Sequence, residues 1–278
     1  MPNIIDKQRV RSRFSKAAQS YHAAAVVQGQ IAEKMINLLR NLSLIRPDRV
    51  LEIGCGTGLF SRLVLQYLSP KHTFFNDICP EMIKSMKSIV FSQHSSQQPA
   101  LHQYDLRQQT MLQHGSQHYS FICADAETCS LPDGLDLITS CSTIQWFEDP
   151  SAFFAHCHTA LQAHGILAFS TFGEENMREI SSTTGVGLTY HTQSALVAEL
   201  LALGYEILSV EEELLSLSFE NPLQVLSHLK ETGVTGIKNH RWTKSKLQAY
   251  CTEYIDRYAV GTRVPLTYHP IYIIAKKK

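Results

Sequence analysis

The sequence has no excess charge of either sign, no paired-cysteine motif and no long apolar run. Its 278 residues carry 25 basic and 25 acidic side chains, so no net field favours nucleic acid. The 7 cysteines are odd in number and contain no C-x-x-C pair, which favours reduced thiols over disulfides. Apolar runs stop short of the roughly 18 residues that a membrane helix needs, and no apolar leader is recognised. We therefore expect a soluble, cytoplasmic protein that binds neither nucleic acid nor membrane.

What the sequence does have is a glycine at every second position after a short apolar strand. Residues 50–58 read Val-Leu-Glu-Ile-Gly-Cys-Gly-Thr-Gly, and apolar residues at helical spacing follow. Because Gly54, Gly56 and Gly58 lack a Cβ, the backbone can turn sharply and approach a bulky ligand. The loop also precedes a helix N-terminus, where backbone N–H groups point outward. This strand, loop and helix predict a nucleoside-binding pocket.

The glycine spacing distinguishes two classes of cofactor. A dinucleotide fingerprint requires glycine or alanine three residues after its second glycine, but Leu59 and Ser61 stand at the two possible positions. The pattern E-x-G-x-G-x-G, which begins at Glu52, instead resembles the first motif of class I S-adenosylmethionine-dependent methyltransferases. An NAD-dependent oxidoreductase is therefore disfavoured. The expected cofactor is S-adenosylmethionine, with S-adenosylhomocysteine as its product.

Two further acidic residues stand where the next predicted strands end. Asp77 is placed as expected for a carboxylate that binds ribose hydroxyls, although a helix N-cap is the alternative. The resemblance implies that Asp125 accepts the adenine amino group and that Ala126 N–H reaches the ring, whereas a plain turn acid is the alternative. Open α/β sheets bind ligands at the carboxyl ends of their strands. The predicted cofactor-binding residues are Glu52, Gly54, Cys55, Gly56, Gly58, Asp77, Ile78, Asp125, Ala126 and Ser140.

Strands alternate with helices from residue 50 onward, which predicts an α/β fold with right-handed crossovers. The first predicted strands are 50–53, 73–76, 120–123, 135–140 and 165–171. The helices predicted among them are 59–68, 80–90 and 151–161. A later strand at 206–210 precedes a closing strand at 268–275, which is expected to pair antiparallel at the sheet edge. The predicted fold is a Rossmann-like class I methyltransferase: a mostly parallel sheet with an antiparallel edge strand and a helical cap.

The chain is expected to comprise two main parts. Residues 1–45 form a predicted N-terminal helical lid, and residues 46–278 form the methyltransferase domain with a cap insertion at about 175–250. A polar stretch rich in Gln, His and Ser at 92–118 predicts a surface insertion with one helix near 101–113. Its histidines lack metal-ligand spacing, so no metal site is expected.

Five segments outside the glycine motif resemble one methyltransferase family. They are residues 13–21, 144–146, 170–173, 229–233 and 265–269. Together they resemble the malonyl-acyl-carrier-protein O-methyltransferases of biotin synthesis, over nearly the full chain. The elements P-L-T-Y-H and L-K-x-T-G are more specific than the glycine motif, which many methyltransferases share. The polar stretch at 92–118 departs from the family pattern because it widens the gap before the third strand.

The resemblance implies methyl transfer to the free carboxylate of a malonyl thioester on acyl carrier protein or coenzyme A. A carboxylate is already ionised at neutral pH, so alignment and desolvation matter more than proton removal. The first choice for orienting it is Tyr21, which matches the N-terminal tyrosine of the family. Gln145 and Trp146 follow the fourth strand, where acceptor and methyl group would meet, although Trp146 could equally be a core residue. Further candidates for contacting the acceptor are Lys230, Arg263, Tyr268 and His269, the last of which could be purely structural.

Two basic clusters suggest how an acidic carrier protein would be attracted. The first lies in a segment, 4–42, that is expected to be helical. The clusters consist of Arg9, Arg11, Arg13 and Lys16, and of Lys238, His240, Arg241, Lys244 and Lys246. Basic residues around the pocket would steer docking, whereas solvated helix faces are the alternative. Two other functions stay open: a class I methyltransferase acting on a small carboxylic acid or quinone-type substrate, and a non-catalytic S-adenosylmethionine-binding module.

Overall fold

The computed structural model describes residues 5–42, 46–93, 100–102, 109–114, 116–234 and 242–278. The strands are β1 (Arg49–Ile53), β2 (His72–Asp77), β3 (Ala100–His102), β4 (Gln109–His114), β5 (Gln117–Cys123), β6 (Leu135–Cys141), β7 (Leu161–Phe172), β8 (Tyr205–Glu212), β9 (Leu215–Phe219), β10 (Val264–Tyr268) and β11 (Pro270–Lys277). The helices are α1 (Lys7–Ala24), α2 (Val26–Asn41), α3 (Leu59–Leu68), α4 (Pro80–Gln93), α5 (Pro150–Ala160), α6 (Arg178–Thr184), α7 (Gln193–Ala202), α8 (Pro222–Glu231) and α9 (Lys244–Tyr258). A 3₁₀ turn covers Ile144–Trp146.

A mixed sheet of nine strands in the order β3-β4-β5-β2-β1-β6-β7-β11-β8 forms the centre of the molecule. The strands from β5 to β7 in this order run parallel, and β11 runs antiparallel to both β7 and β8. On β1, Val50 packs into a core with α2 and α3, whereas Leu51 and Ile53 pack into a second core with α5. The sheet is therefore covered by helices on both faces, and the predicted Rossmann-like α/β fold is confirmed.

The closing strand is antiparallel as predicted, but its predicted position at the sheet edge is wrong. It pairs on one side with β7 and on the other with β8, which is the outermost strand. The side chains from Ile271 to Ala275 are fully buried, so the strand has the continuous apolar character of an interior strand. The edge strand is β8 instead, and its exposed side chains include Glu211 and Glu212.

The helix predicted near 101–113 is not present in the described part of that stretch. Residues 109–114 form β4, which pairs antiparallel with β5, and β3 extends the sheet by one further short strand. The physical reason is that Leu112 is buried against the sheet core while β4 covers an otherwise open strand edge. Residues 94–99, 103–108 and 115 of the predicted insertion lie outside the described residues.

The N-terminal segment, predicted to be helical, forms two helices. At Ala25 the backbone leaves the helical region, with φ −82° and ψ 47°, and its N–H donates to the carbonyl of Tyr21. This break lets α2 pack beside α3 while α1 runs toward α4 and α8. A second sheet, which the sequence analysis did not anticipate, pairs β9 with β10. No helix among the described residues has the length and apolarity to cross a membrane.

Candidate functional site

A cleft of about 710 Å³, including its open mouth, lies where the parallel strands β1, β2, β5 and β6 end. This is the edge at which an open α/β sheet binds its ligand. Its floor contains Gly54, Gly56, Asp77, Ile78, Asp125 and Ala126, all of which the sequence analysis selected for cofactor binding. Its roof contains Lys7, Val10, Phe14 and Tyr21 from α1. The first helix therefore closes a pocket built by the sheet.

Two glycines of the loop serve different purposes. Gly54 has φ +68°, and a Cβ there would lie 2.1 Å from Oγ1 of Thr143, so the protein's own packing excludes a side chain. Gly56 has φ +53°, but a Cβ there would meet nothing closer than 3.9 Å. Because Gly56 lines the cleft, its missing side chain leaves space for a ligand rather than for the protein.

Asp77 joins the glycine loop to the start of α4. Its Oδ2 accepts a hydrogen bond from Gly56 N–H at 2.9 Å, and its Oδ1 accepts one from Cys79 N–H at 2.8 Å. Burial raises the pKa of this carboxyl to about 6, although both backbone bonds favour the ionised form. Each carboxylate oxygen has a second acceptor direction, so Asp77 can bind ligand hydroxyls while holding the loop.

Lys7 fastens the roof of the cleft to its floor. Its ammonium lies 3.3 Å from Oδ1 of Asp125 and forms a shorter ion pair with Glu127. Glu127 also accepts the N–H groups of Glu148 and Asp149, at 3.1 and 2.8 Å. The sequence analysis missed Lys7, because a lysine on a basic amphipathic helix gives no signal for a partner 118 residues away.

A second pocket of about 370 Å³ adjoins the cleft. Four residues line both cavities: Phe14, Tyr21, Ser142 and Trp146. The ring of Trp146 is 6% exposed and meets Phe14 edge to face at a centroid distance of 5.6 Å. Trp146 is therefore both a buried packing residue and part of the pocket wall.

The second pocket is polar but carries no cationic side chain among its described lining residues. Its polar lining consists of Tyr21, Gln28, Ser142, Gln145, Asn176, Tyr190, Thr232 and Tyr268. Burial raises the pKa values of the Tyr21 and Tyr268 hydroxyls well above the ordinary range, so both stay neutral donors. Tyr268 is hydrogen-bonded to His228 at 2.7 Å, and Asn176 donates to Tyr190 at 2.8 Å.

Ser142 stands at the junction of the two cavities in a left-handed backbone conformation, with φ +55°. Its N–H donates to both the carbonyl and the hydroxyl oxygen of Ser170 at 3.1 Å. Its own hydroxyl is buried and has no hydrogen-bond partner among the described residues. Strained backbone of this kind is concentrated at functional sites. Gln145 and Trp146 were selected as acceptor candidates from the sequence, but Ser142 was not.

Comparisons with known proteins agree with this geometry. Residues 51–169 match the family described as a methyltransferase domain. A malonyl-acyl-carrier-protein O-methyltransferase of Bacteroides thetaiotaomicron is 44% identical over 99% of both chains. The enzyme of that name from Haemophilus influenzae is 36% identical over 98% of this chain and 95% of its own. The chain belongs to the malonyl-acyl-carrier-protein O-methyltransferase family. It spans 52% of another relative of that name, from Bacteroides fragilis, with which it shares 46% identity.

Solved structures of lower identity show the fold of this family member. A methyltransferase-like protein from Bacillus halodurans aligns with a TM-score of 0.60 at 15% identity, covering 88% of this chain and 99% of that one. The cyclase SpnF aligns with a TM-score of 0.53 at 17% identity, over 89% and 81% of the two chains. Since a protein named as a cyclase shares the architecture, the fold by itself does not specify methyl transfer.

Four residues that were predicted to bind the cofactor do not line the cleft of this family member. They are Glu52, Cys55, Gly58 and Ser140. The carboxyl of Glu52 is buried beneath the loop, which raises its pKa to about 8, and the hydroxyl of Ser140 donates to the carbonyl of Ile53 at 3.1 Å. A Cβ on Gly58 would lie 2.5 Å from Ile89, so this glycine serves helix packing. These residues support the loop from below.

Lys230, Arg263 and His269, which were candidates for contacting the acceptor, lie outside both cavities. Lys230 is exposed on α8, and the guanidinium of Arg263 donates to the hydroxyl and the carbonyl of Ser218, each at 2.8 Å. The ring of His269 lies 3.3 Å from Glu212 at the sheet edge. The structure brings Tyr21, Gln145 and Trp146 to the second pocket, but Lys230, Arg263 and His269 lie elsewhere.

The two basic clusters are only partly described. Arg9, Arg11, Arg13 and Lys16 lie on α1, whose inner face roofs the cleft. Lys244 and Lys246 are exposed at the start of α9. Lys238, His240 and Arg241 lie outside the described residues. Groups of His, Cys, Asp and Glu suited to a metal ion were not found in the part of the chain that the structure covers.

Proposed function

We propose that this chain transfers a methyl group from S-adenosylmethionine to the free carboxylate of a malonyl thioester on acyl carrier protein, an early step of biotin synthesis. The observation that carries the proposal is the junction at which Tyr21, Ser142 and Trp146 line both a nucleoside-sized cleft and a neutral polar pocket. Relatives of nearly equal length carry the corresponding name. An acceptor in the second pocket would therefore face a cofactor in the first.

The residues of the cleft fit S-adenosylmethionine. Asp77 would accept ribose hydroxyls, the open Cβ position of Gly56 leaves room for the ligand, and Asp125 with Ala126 would hold the adenine. Since Lys7 pairs with Asp125, the carboxylate of Asp77 and several aromatic rings are the groups that suit a ligand with positive charge. When bound, the cofactor supplies an electrophilic methyl group. Helix α1 would then act as the lid over this site, a role that belongs to the same proposal.

The second pocket would align the acceptor without a base or a cation. A malonyl carboxylate is ionised at neutral pH and needs to be oriented and stripped of water. The neutral hydroxyls of Tyr21 and Ser142 can each donate to one of its oxygens. A buried guanidinium would bind the carboxylate more tightly in the ground state, which does not by itself speed the reaction. Phe14 and Trp146 would exclude water from the junction.

Incubation with labelled S-adenosylmethionine and malonyl-acyl carrier protein tests the proposal. We expect intact-mass analysis to show one added methyl ester, and malonyl-coenzyme A to serve as an alternative acceptor. Butyryl-acyl carrier protein is the matched control, because it has the same carrier and thioester but no free carboxylate. Transfer to a small acid or quinone but to no malonyl thioester would favour another methyltransferase activity. Cofactor binding without any transfer would favour a binding module.

The raised pKa of Asp77 predicts a pH-dependent cofactor affinity. With a pKa of about 6, this carboxyl takes up a proton as the pH falls through that value, and a neutral carboxyl accepts weaker hydrogen bonds. We therefore expect full affinity for S-adenosylmethionine near neutral pH and weaker binding at lower pH. Calorimetry across this range in buffers of different ionisation enthalpy measures both affinity and proton release. An Asp77→Asn variant should bind weakly at every pH; an unaltered pH profile in that variant would assign the titration to another group.

A further inference from the structure

A groove on the far side of the acceptor pocket is not used by the proposed function. It encloses about 1210 Å³, including its open side. Its apolar lining consists of Ile5, Ile144, Phe147, Pro150, Phe172, Leu188 and Leu196, and its polar lining of Gln145, Glu148, Thr171, Thr189, Tyr190 and His191. A mostly apolar groove with a few polar groups fits a slender organic chain better than a folded protein surface.

This groove is continuous with the acceptor pocket. Gln145, Phe172, Leu188 and Tyr190 line both cavities, just as Tyr21 and Ser142 line both the acceptor pocket and the cofactor cleft. Phe147 also lines both the cofactor cleft and the groove, so the three cavities adjoin one another around residues 144–147. An acceptor whose carboxylate lies at the first junction would extend through the second junction into the groove.

The amide of Gln145 indicates what kind of group passes the second junction. Its Nε2 donates to the carbonyl of Ser142 at 2.7 Å, and this bond fixes which end of the amide faces away. The remaining Oε1 is buried and has no hydrogen-bond partner among the described residues. A carbonyl oxygen can only accept, so it repels a carboxylate and pairs with an N–H or O–H donor. The free oxygen of Gln145 therefore suits a donor group of the acceptor rather than its carboxylate.

We propose that the groove binds the pantetheine arm of the carrier protein and that Oε1 of Gln145 accepts a hydrogen bond from the arm's amide N–H nearest the thioester. This inference rests on the proposed function. A carrier protein cannot enter a pocket of about 370 Å³, so a linear arm must connect its surface with the junction. The first amide of the arm has an N–H group two carbons from the thioester sulfur. This N–H can donate to Oε1 of Gln145, which has no other partner among the described residues.

The groove lining carries little charge, and the nearest basic cluster along the chain is on α1. Ile5, which lines the groove, immediately precedes α1, and α1 carries Arg9, Arg11, Arg13 and Lys16. The acidic Glu148 also lies at the groove, and His191 is 4.0 Å from Glu199. Lys16 lies against α4 beside Glu81, so the basic residues of α1 would attract an acidic carrier to the roof of the cleft rather than to the groove lining itself.

Three malonyl thioesters of increasing length test the amide contact. They are the methyl thioester, which has no amide, the N-acetylcysteamine thioester, which has the first amide, and malonyl-acyl carrier protein. In Gln145→Leu we expect kcat/KM for the N-acetylcysteamine thioester to fall about tenfold more than for the methyl thioester, the scale of one neutral hydrogen bond. Loss of the Nε2 bond to Ser142 affects both acceptors and cancels in this ratio. Equal losses for the two acceptors would overturn the contact.

A substitution at the groove entrance tests the path of the arm. Thr189 is exposed and lines only the groove, so Thr189→Trp should lower kcat/KM for malonyl-acyl carrier protein about tenfold relative to the N-acetylcysteamine thioester. Leu214→Trp is the matched control, because Leu214 is 57% exposed and lies outside the groove. Cofactor affinity, measured by calorimetry, should be unchanged in both variants. A Thr189→Trp variant that behaves like Leu214→Trp would overturn the inference.

Carrier binding without turnover separates this inference from the proposed function. Holo-carrier protein, which has the arm, should bind more tightly than apo-carrier, and Thr189→Trp should abolish that difference. Absence of methyl transfer to every malonyl thioester would refute the proposed function, whereas equal affinity of wild-type protein for holo- and apo-carrier would refute the groove. The two failures are thus measured independently.

Discussion

Replacement of Asp77 by alanine should weaken S-adenosylmethionine binding by at least about 100-fold. Two hydrogen bonds from ribose hydroxyls to an ionised carboxylate are each worth about 1.5–3 kcal/mol. The same substitution frees the N–H groups of Gly56 and Cys79, so the loop also loses the carboxylate that holds its shape. Calorimetry on the folded variant measures the loss directly.

Asp136→Ala is the matched control for this experiment. Asp136 also uses a carboxylate to hold two backbone N–H groups, those of Asp48 and Arg49 at 2.9 and 2.8 Å, but it lies at the start of β6, away from the cleft. Both variants should lose some stability, and only Asp77→Ala should lose affinity. Equal affinities in the two variants would remove Asp77 from the cofactor site.

Replacement of Tyr21 by phenylalanine should lower methyl transfer by about two orders of magnitude. Loss of one preorganised donor typically costs this much when the donor acts on the reacting group. Because Tyr21 roofs the cleft mainly through its ring, which lies 6.2 Å from the ring of Phe14, cofactor affinity should stay close to that of the wild type. Single-turnover kinetics with saturating cofactor separate the two quantities.

Tyr205→Phe is the matched control, because it also removes a tyrosine hydroxyl, but one that lies away from the site. The buried Tyr205 hydroxyl donates to the carbonyl of Phe154 at 2.9 Å, so this control should lose stability without losing turnover. If Tyr21→Phe retained normal turnover, the orienting role would pass to Ser142. The structure favours this serine over Lys230 or Arg263 because its unpartnered hydroxyl lies at the junction of the two cavities.

The residues that line the cleft could be predicted because their positions depend on local rules. A glycine loop between a buried strand and a helix has few conformations, and helix α3 begins and ends at the predicted residues. Successive parallel strands then bring their ends together, which places Asp77 and Asp125 in one cleft without further information. The positions of side chains around the cleft were harder to predict from the sequence. Glu52, for example, belongs to the glycine motif but is buried beneath the loop.

The acceptor half depends on long-range packing, which single-residue patterns do not report. Lys230 and Arg263 are the charges that carboxylate chemistry suggests, but the helix and strand that carry them turn both side chains away from the pocket. The ion pair of Lys7 joins segments 118 residues apart. In the polar stretch, Gln109–His114 contains only two apolar residues, the adjacent Met111 and Leu112, so no alternation of apolar and polar residues distinguished a strand from a helix.

The left-handed backbone at Ser142 lowers the stability of the protein, whereas the hydroxyl of the same residue is proposed to support turnover. Glycine adopts φ +55° without steric cost, so Ser142→Gly should raise the free energy of unfolding by up to about 1 kcal/mol. The same change deletes the buried hydroxyl at the junction of the cavities. A laboratory lineage selected for survival of heating alone would be expected to accept this substitution and lose activity. A lineage selected for growth without supplied biotin would be expected to keep the serine and its strain.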